Sequence, residues 1–99
     1  MNEYFVIKSF ELHDGQLDNW KKLSKEIDED ISKAEGFISR DSGIDNENKV
    51  RCLIKWESKE KQENFMKQLM ARDNWEDMIS HFGSVVNMKT EKLQELKIF

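Results

Sequence analysis

Apolar and polar residues largely alternate from Lys49 to Trp56, which predicts a β-strand that leads directly into a helix. The apolar residues recur at every second position and therefore share one strand face. They are Val50, Cys52, Ile54 and Trp56. Ser58 is placed to cap the following helix, because its side chain can accept a backbone N–H from the first turn. We expect this strand to lie inside a small sheet.

Two further strands are predicted before it. The first covers Glu3 to Phe10 and has apolar residues on both faces, so both faces should be covered. The second covers Phe37 to Ile44, where simple alternation places Phe37 and Ile38 on opposite faces. Its polar character is typical of a sheet edge or of the rim of a cavity. The turn-forming segment Asp45-Asn46-Glu47-Asn48 then predicts a hairpin into the next strand.

The tail from Ser84 to Phe99 fits two patterns. Alternation of apolar residues favours a strand through at least Val85 to Lys92. The spacing of Leu93 and Leu96 among charged residues would also suit a helix. We favour the strand.

Apolar residues spaced by three and four positions predict a helix from Gln16 to Glu35. Asp14 is its candidate N-cap, and Gly36 is expected to stop it. The outer surface of this helix carries a cluster of acidic side chains. A solvated helix face is favoured over a metal site for this cluster. The residues are Glu26, Asp28, Glu29 and Asp30.

A second helical region is predicted after Ser58. It breaks at 71–74, where Asp73 followed by Glu76 resembles a capping box that opens a short helix ending at Gly83.

The predicted order is strand, helix, strand, strand, helix, strand, which indicates an α+β ferredoxin-like fold. Right-handed crossovers give a four-stranded antiparallel sheet ordered 4-1-3-2, in a single domain over residues 1–99. The helices would cover one sheet face and leave the other bare, although Phe5 and Ile7 make it apolar. A homodimer that stacks two open sheet faces would bury such a patch.

Composition excludes several classes of protein. The 20 acidic and 16 basic residues are interspersed and give a net charge of −4, which does not resemble a nucleic-acid-binding surface. The chain has no apolar segment of the ~20 residues that a membrane helix needs and no leader pattern, so a cytoplasmic location is expected. The only cysteine, Cys52, excludes an intrachain disulfide and is expected to be a buried small residue.

Five segments in this order resemble the antibiotic biosynthesis monooxygenase family of dimeric α+β barrels. They are Tyr4-Phe5-Val6-Ile7, Gly15, Gly36-Phe37-Ile38, Ile54-Lys55-Trp56-Glu57-Ser58-Lys59-Glu60 and Phe65. The family contains cofactor-free oxygenases for aromatic or quinone substrates, heme-degrading enzymes, isomerase-like enzymes and members without known activity. The resemblance implies a pocket between the sheet and the helices.

The heme-degrading branch is disfavoured by three positions. It uses an Asn on the first strand, a Trp in the second helix and a heme-binding His further along. Alignment on Trp56-Glu57-Ser58 places Ser9, Phe65 and Trp75 there, and none of them matches. The resemblance therefore implies no heme and no other cofactor, and a ligand pocket lined by Ser9, Trp56, Phe65 and Trp75.

Acid–base chemistry has one candidate residue. His81 is this weak catalytic candidate, although its place near a helix end favours a capping role. His13 is expected to be exposed in a turn. Two functions stay open at this point. One is a cofactor-independent monooxygenase acting on a small aromatic or quinone-type substrate; the other is a non-catalytic dimeric module that binds a small apolar ligand or a partner.

Overall fold

The computed structural model describes residues 3–99. It contains seven elements in the order β-α-β-β-α-α-β. They are β1 (Tyr4–Leu12), α1 (Leu17–Ile31), β2 (Phe37–Ile44), β3 (Lys49–Trp56), α2 (Lys59–Met70), α3 (Trp75–Val85) and β4 (Val86–Lys97). The predicted order is confirmed, including the break between the last two helices and the strand in the tail.

The four strands form an antiparallel sheet in the order β2-β3-β1-β4. This confirms the ferredoxin-like α+β fold and the interior position of β3. β1 is the other interior strand, and its residues pair with β3 on one side and β4 on the other.

A β-bulge in β2 overturns the predicted facing of its first residues. Phe37 is opposite Trp56 and Ser39 is opposite Lys55, so Ile38 is an extra residue on the β2 side. Phe37 therefore faces the helices, where its ring lies 5.8 Å from that of Trp56. The simple alternation of this segment was wrong because packing against Trp56 determines the register.

The core lies between the helices and the even-numbered face of β1 and β3. One buried cluster joins Phe10, Val50 and Cys52 to Trp20 of α1, whose ring is 5.0 Å from that of Phe10. A second cluster, at the other end of the sheet, joins Tyr4, Val6 and Trp56 to Ile31 of α1. Because α1 contributes to both clusters, it spans the sheet from one end to the other.

Helix ends follow the prediction only in part. The hydroxyl of Ser58 accepts the backbone N–H of Lys61 at 3.3 Å, so the predicted cap of α2 is confirmed. Asp14 does not cap α1, because the helix begins after Gln16 without a side-chain cap. That helix also ends at Ile31, four residues earlier than predicted.

The predicted boundaries of α3 were also wrong at both ends. Its N-cap residue is Asn74 rather than Asp73, and no side chain caps it. The helix continues through Gly83 to Val85, where β4 begins at once. The backbone stays helical at Gly83, and the helix ends where the chain turns into β4.

Arg40 of the edge strand β2 is tied to α1. Its side chain is only 3% exposed, and Nη1 donates to Ser24 Oγ at 2.9 Å and to Asp28 Oδ1 at 2.6 Å. Asp30, another member of the acidic cluster, accepts two hydrogen bonds from Arg72. Asp28 and Asp30 thus form ion pairs with arginines. Residues 3–99 contain no group of three or more metal-ligating side chains.

The opposite sheet face, which carries the odd-numbered residues of β1 and β3, is not covered by a helix. We call it the open face. Phe5, Ile7 and Leu53 lie on it half-buried, and Leu96 is 37% exposed. In the part of the chain that the structure describes, no helix is long and apolar enough to cross a membrane.

Candidate functional site

Lys8 interrupts the apolar face of β1 between Val6 and Phe10. It points toward the helices, because its Nζ atom lies 5.4 Å from the ring centroid of Phe82 on α3. A cation over an aromatic face at this distance is stabilised by the ring quadrupole. The interior strand of the sheet thus brings an ammonium group into the space between the sheet and the helices.

Glu91 of β4 faces this ammonium. Lys8 Nζ and Glu91 Oε2 are 3.3 Å apart, and about one third of each side chain is exposed. The Oε2 atom itself is buried and has no partner with hydrogen-bond geometry among residues 3–99. The pair is therefore held by charge.

Tyr4 contributes a second unpartnered group. Its side chain is buried, and its hydroxyl has no hydrogen-bond partner within the described residues. Burial, together with the nearby carboxylate of Glu95, raises the pKa of Tyr4 to about 12. At neutral pH the hydroxyl therefore keeps its proton.

The helices leave the second half of β4 uncovered on this side. Leu93 is directly opposite Lys8, on the helix-facing side of the sheet, yet it is 58% exposed. Glu95, two residues further along, is also exposed. A small molecule could therefore reach the helix-facing side over β4. We call this group of residues the Lys8 site: Lys8, Glu91 and Leu93.

Two of the predicted pocket residues are together near Tyr4, at the other end of the sheet from Phe82. The rings of Trp56 and Phe65 are 5.5 Å apart, and both belong to the buried cluster that contains Tyr4. Trp56 is also directly opposite Tyr4 in the sheet. These two aromatic residues support the Tyr4 ring from the β3 side.

The other two predicted pocket residues lie elsewhere. Ser9 is opposite Arg51 and Lys92 on the open face, so the sheet separates it from Trp56. Trp75 is half-buried at the start of α3 and belongs to neither buried cluster. The structure thus brings Trp56 and Phe65 together but does not add Ser9 or Trp75 to them.

His13 is exposed, as expected, but it is His13 and not His81 that binds a helix end. His81 is exposed on α3. The end of α3 is bound instead by His13, whose Nε2 lies 3.0 Å from the carbonyl oxygen of Gly83 and whose backbone N–H donates to Val85 at 3.0 Å. His13 therefore fills the capping role expected of His81.

Sequence reasoning missed Lys8 and Glu91 as site residues. One signal was present, because Lys8 is a charged residue at a position whose neighbours two places away are apolar. Glu91 gave no such signal. Its approach to Lys8 depends on a register shift between β1 and β4 at Ser9 and Glu11, which strand periodicity does not reveal.

The geometry defines a ferredoxin-like α+β protein with a charged pair on the helix-facing side of its sheet. Solved structures with this fold include antibiotic biosynthesis monooxygenase proteins. SnoaB, a cofactor-independent oxygenase from Streptomyces nogalater, matches with a TM-score of 0.74 and 10% identity over 97% of this chain and 92% of its own. A proposed antibiotic biosynthesis monooxygenase from Chloroflexus aurantiacus matches with a TM-score of 0.73 and 16% identity over 98% and 93%.

A conserved protein from Methanosarcina mazei Go1 is also similar, with a TM-score of 0.77 and 15% identity over 100% of this chain and 95% of its own. At these identities the likeness shows the shared fold alone. No protein-family model and no curated protein matches the sequence. The fold implied by the resemblance to the monooxygenase family is thus confirmed. Any activity has to be inferred from the residues of the site.

Proposed function

We propose that this protein is a cofactor-independent monooxygenase that acts on a small aromatic or quinone-type substrate between the sheet and the helices. The observation that carries the proposal is the Lys8–Glu91 pair, which faces the helices beside the uncovered Leu93. The fold shared with SnoaB supports the same reaction class. The substrate ring would lie over Leu93.

The roles follow from the chemistry of each group. Glu91 removes a proton from an acidic C–H or O–H of the substrate, as a general base within reach of it. The Lys8 ammonium stabilises the resulting anion. The electron-rich anion reduces O₂. In an anthrone-type substrate one oxygen atom converts the CH₂ group to a ketone, and the other leaves as water.

Oxygen consumption tests this proposal. With anthrone-like and hydroxyquinone substrates, we expect Lys8→Met and Glu91→Gln each to lower kcat/KM by about 100-fold. Lys67→Met and Glu29→Gln, which remove the same charges from exposed helix positions, should leave it unchanged. Absence of turnover by the unmodified protein across a broad panel, or equal losses in the control variants, would contradict the proposal.

The proposal includes a homodimer formed through the open face. Phe5, Ile7, Leu53 and Leu96 form one continuous apolar patch on neighbouring strands, because Ile7 is opposite Leu53 and Phe5 is opposite Leu96. A second copy would cover this patch, as stacked sheets do. The dimer would act in the cytoplasm.

An alternative role is a dimeric module that binds a small apolar ligand or a partner without catalysis. The exposure of Leu93 beside the buried cluster of Tyr4 and Trp56 favours it, since this surface can hold an apolar ligand without any proton transfer. Ligand binding that survives in Glu91→Gln, with no reaction in either protein, would establish this role.

A further inference from the structure

Three aromatic rings pack against one another next to the Lys8 site. Phe10 of β1 lies two residues after Lys8, on the same face of the strand. Its ring centroid is 5.0 Å from that of Trp20 on α1 and 5.8 Å from that of Phe82 on α3. The centroids of Trp20 and Phe82 are 6.3 Å apart, so each ring contacts the other two. We call Phe10, Trp20 and Phe82 the ring cluster.

The ring cluster fixes the orientation of the Phe82 ring. The three pairs of rings meet edge to face, with angles of 80°, 78° and 74° between their planes. The charge distribution of aromatic rings favours this arrangement at such distances. Phe10 and Trp20 are buried, whereas Phe82 is half-buried. Two buried rings therefore restrict the third, which is the ring that reaches the Lys8 site.

The backbone that carries Phe82 is anchored to the end of β1. The His13 ring nitrogen Nε2 lies 3.0 Å from the carbonyl oxygen of Gly83, and the His13 backbone N–H donates to the carbonyl of Val85 at 3.0 Å. Val85 itself is buried in the core. Because β1 also carries Lys8, the Phe82 ring has a defined position relative to the Lys8 side chain.

Two groups of different kinds hold the Lys8 ammonium. Its Nζ atom lies over the Phe82 ring, 5.4 Å from the centroid, where the ring quadrupole attracts a cation. The Glu91 carboxylate is 3.3 Å away on the other strand, but its Oε2 atom has no partner with hydrogen-bond geometry among residues 3–99. Only one of the two groups that hold the ammonium carries a charge.

The two groups respond differently to proton transfer. When Glu91 accepts a proton as a general base, its side chain becomes neutral, and its charge attraction for Lys8 is lost. The quadrupole of the Phe82 ring does not change in this step. The ring can therefore keep the ammonium in place while negative charge develops on the substrate, which is when the ammonium is needed.

We propose that Phe82 is a positioning residue, which holds the Lys8 ammonium in place whether or not Glu91 is charged. It acts through Lys8 and does not touch the reacting atoms. The catalytic part of this role rests on the proposed oxygenase function. Lys8 and Phe82 lie on the helix-facing side of the sheet, so a homodimer formed through the open face leaves them uncovered.

The first test needs no substrate and measures the order parameter of the Lys8 Cε methylene group by NMR relaxation of the full chain. We expect Lys8 to be more ordered than the exposed Lys67, both in the unmodified protein and in Glu91→Gln, which resembles the protonated carboxyl group. Phe82→Leu should lower the order of Lys8 to that of Lys67, whereas Phe82→Tyr, which keeps a ring face, should not. A Lys8 that loses its order in Glu91→Gln but keeps it in Phe82→Leu would overturn the proposal, as would equal order of Lys8 and Lys67 in the unmodified protein.

The second test is turnover of an anthrone-like substrate. We expect Phe82→Leu to lower kcat by about fivefold and to change KM by less than about twofold, because the ammonium interacts with the anion that forms and not with the neutral substrate. Phe82→Tyr should keep the full kcat. Phe37→Leu is the matched control and should also keep it, since it removes a half-buried ring that packs 5.8 Å from Trp56, at the other end of the sheet.

The outcomes separate this proposal from the oxygenase function. An unchanged kcat in Phe82→Leu, or equal losses in Phe82→Leu and Phe37→Leu, would overturn the role of Phe82 in catalysis. Absence of turnover by every protein would contradict the oxygenase function instead, and the order parameter of Lys8 would still decide whether Phe82 holds the ammonium.

Discussion

The Lys8 ammonium and the Glu91 carboxylate face each other at 3.3 Å across the β1–β4 pair, on the side of the sheet that packs against the helices. Pairs that keep about a third of each side chain in water contribute little to folding. The ion pair by itself therefore explains little of why a charged residue stands in the middle of an interior strand.

A double-mutant cycle measures this contribution. With Lys8→Met and Glu91→Gln, we expect a coupling free energy of unfolding of about 0.5–1 kcal/mol, from urea denaturation. The exposed pair of Lys59 and Glu63, 3.8 Å apart on α2, should give less than about 0.5 kcal/mol. A coupling of several kcal/mol between Lys8 and Glu91 would mean that the pair is structural.

Gly36 is expected to tolerate no side chain. Its φ angle is +85°, and an added Cβ would lie 2.5 Å from the Cβ atom of Lys61. We expect Gly36→Ala to lower the free energy of unfolding by about 2 kcal/mol or more, because strain and a clash act together. Gly43→Ala, where a Cβ meets nothing within 4 Å, should change it by less than about 0.5 kcal/mol. Similar losses in the two variants would contradict this account.

The fold was largely predictable because its elements obey simple periods. The alternation in Lys49 to Trp56 and the capping role of Ser58 are local properties, and both are present in the structure. The bulge at Ile38 was not predictable, because it depends on Phe37 reaching Trp56 on another strand. The ends of α1 and α3 likewise depend on tertiary contacts rather than on Asp14 or Gly83.

Arg40 should matter far more to stability than the similar ion pair of Arg72. The Arg40 guanidinium is buried and donates to the half-buried Ser24 and to Asp28, so its removal leaves the Ser24 oxygens without this donor. We expect Arg40→Met to cost about 2 kcal/mol in the free energy of unfolding. Arg72→Met, at a partly exposed pair with Asp30, should cost less than about 1 kcal/mol. Equal costs would show that burial is not the deciding factor.

The candidate site was less predictable than the fold, for a physical reason. The chosen pocket residues Ser9, Trp56, Phe65 and Trp75 came from a family alignment, and a shift of one position along a strand moves a side chain to the other sheet face. Ser9 shows this directly, since its neighbour Lys8 is the residue that faces the helices. The partner of Lys8 depends on strand register, which the sequence does not encode locally.

The proposed dimer depends on the open face. We expect sedimentation at micromolar concentration to give the mass of two chains, and Leu96→Glu to give a folded single chain, because a charge would be buried in the interface. Met70→Glu places the same charge on an apolar residue that is 50% exposed at the end of α2, and it should remain dimeric. A folded monomer from the unmodified protein would disprove the dimer.

Tyr4 allows a pH-dependent test, because it is the only tyrosine in the chain. Its pKa of about 12 in the folded protein lies above the ordinary value of 10.0, so the folded state binds the phenolic proton more tightly than the unfolded state. The corresponding stability is complete below about pH 10 and is lost as the pH rises toward about 12. The near-ultraviolet absorbance of tyrosinate should therefore appear late in an alkaline titration. It should coincide with unfolding measured by circular dichroism.

Tyr4→Phe tests the structural role of this hydroxyl. The hydroxyl is buried without a partner, so its removal should raise the free energy of unfolding at neutral pH by about 1 kcal/mol and flatten its fall at alkaline pH. The same variant should leave kcat/KM for an anthrone-like substrate unchanged, because Tyr4 lies four residues along β1 from Lys8. A less stable variant would show that the hydroxyl bonds to the nearby Glu95 carboxylate in solution.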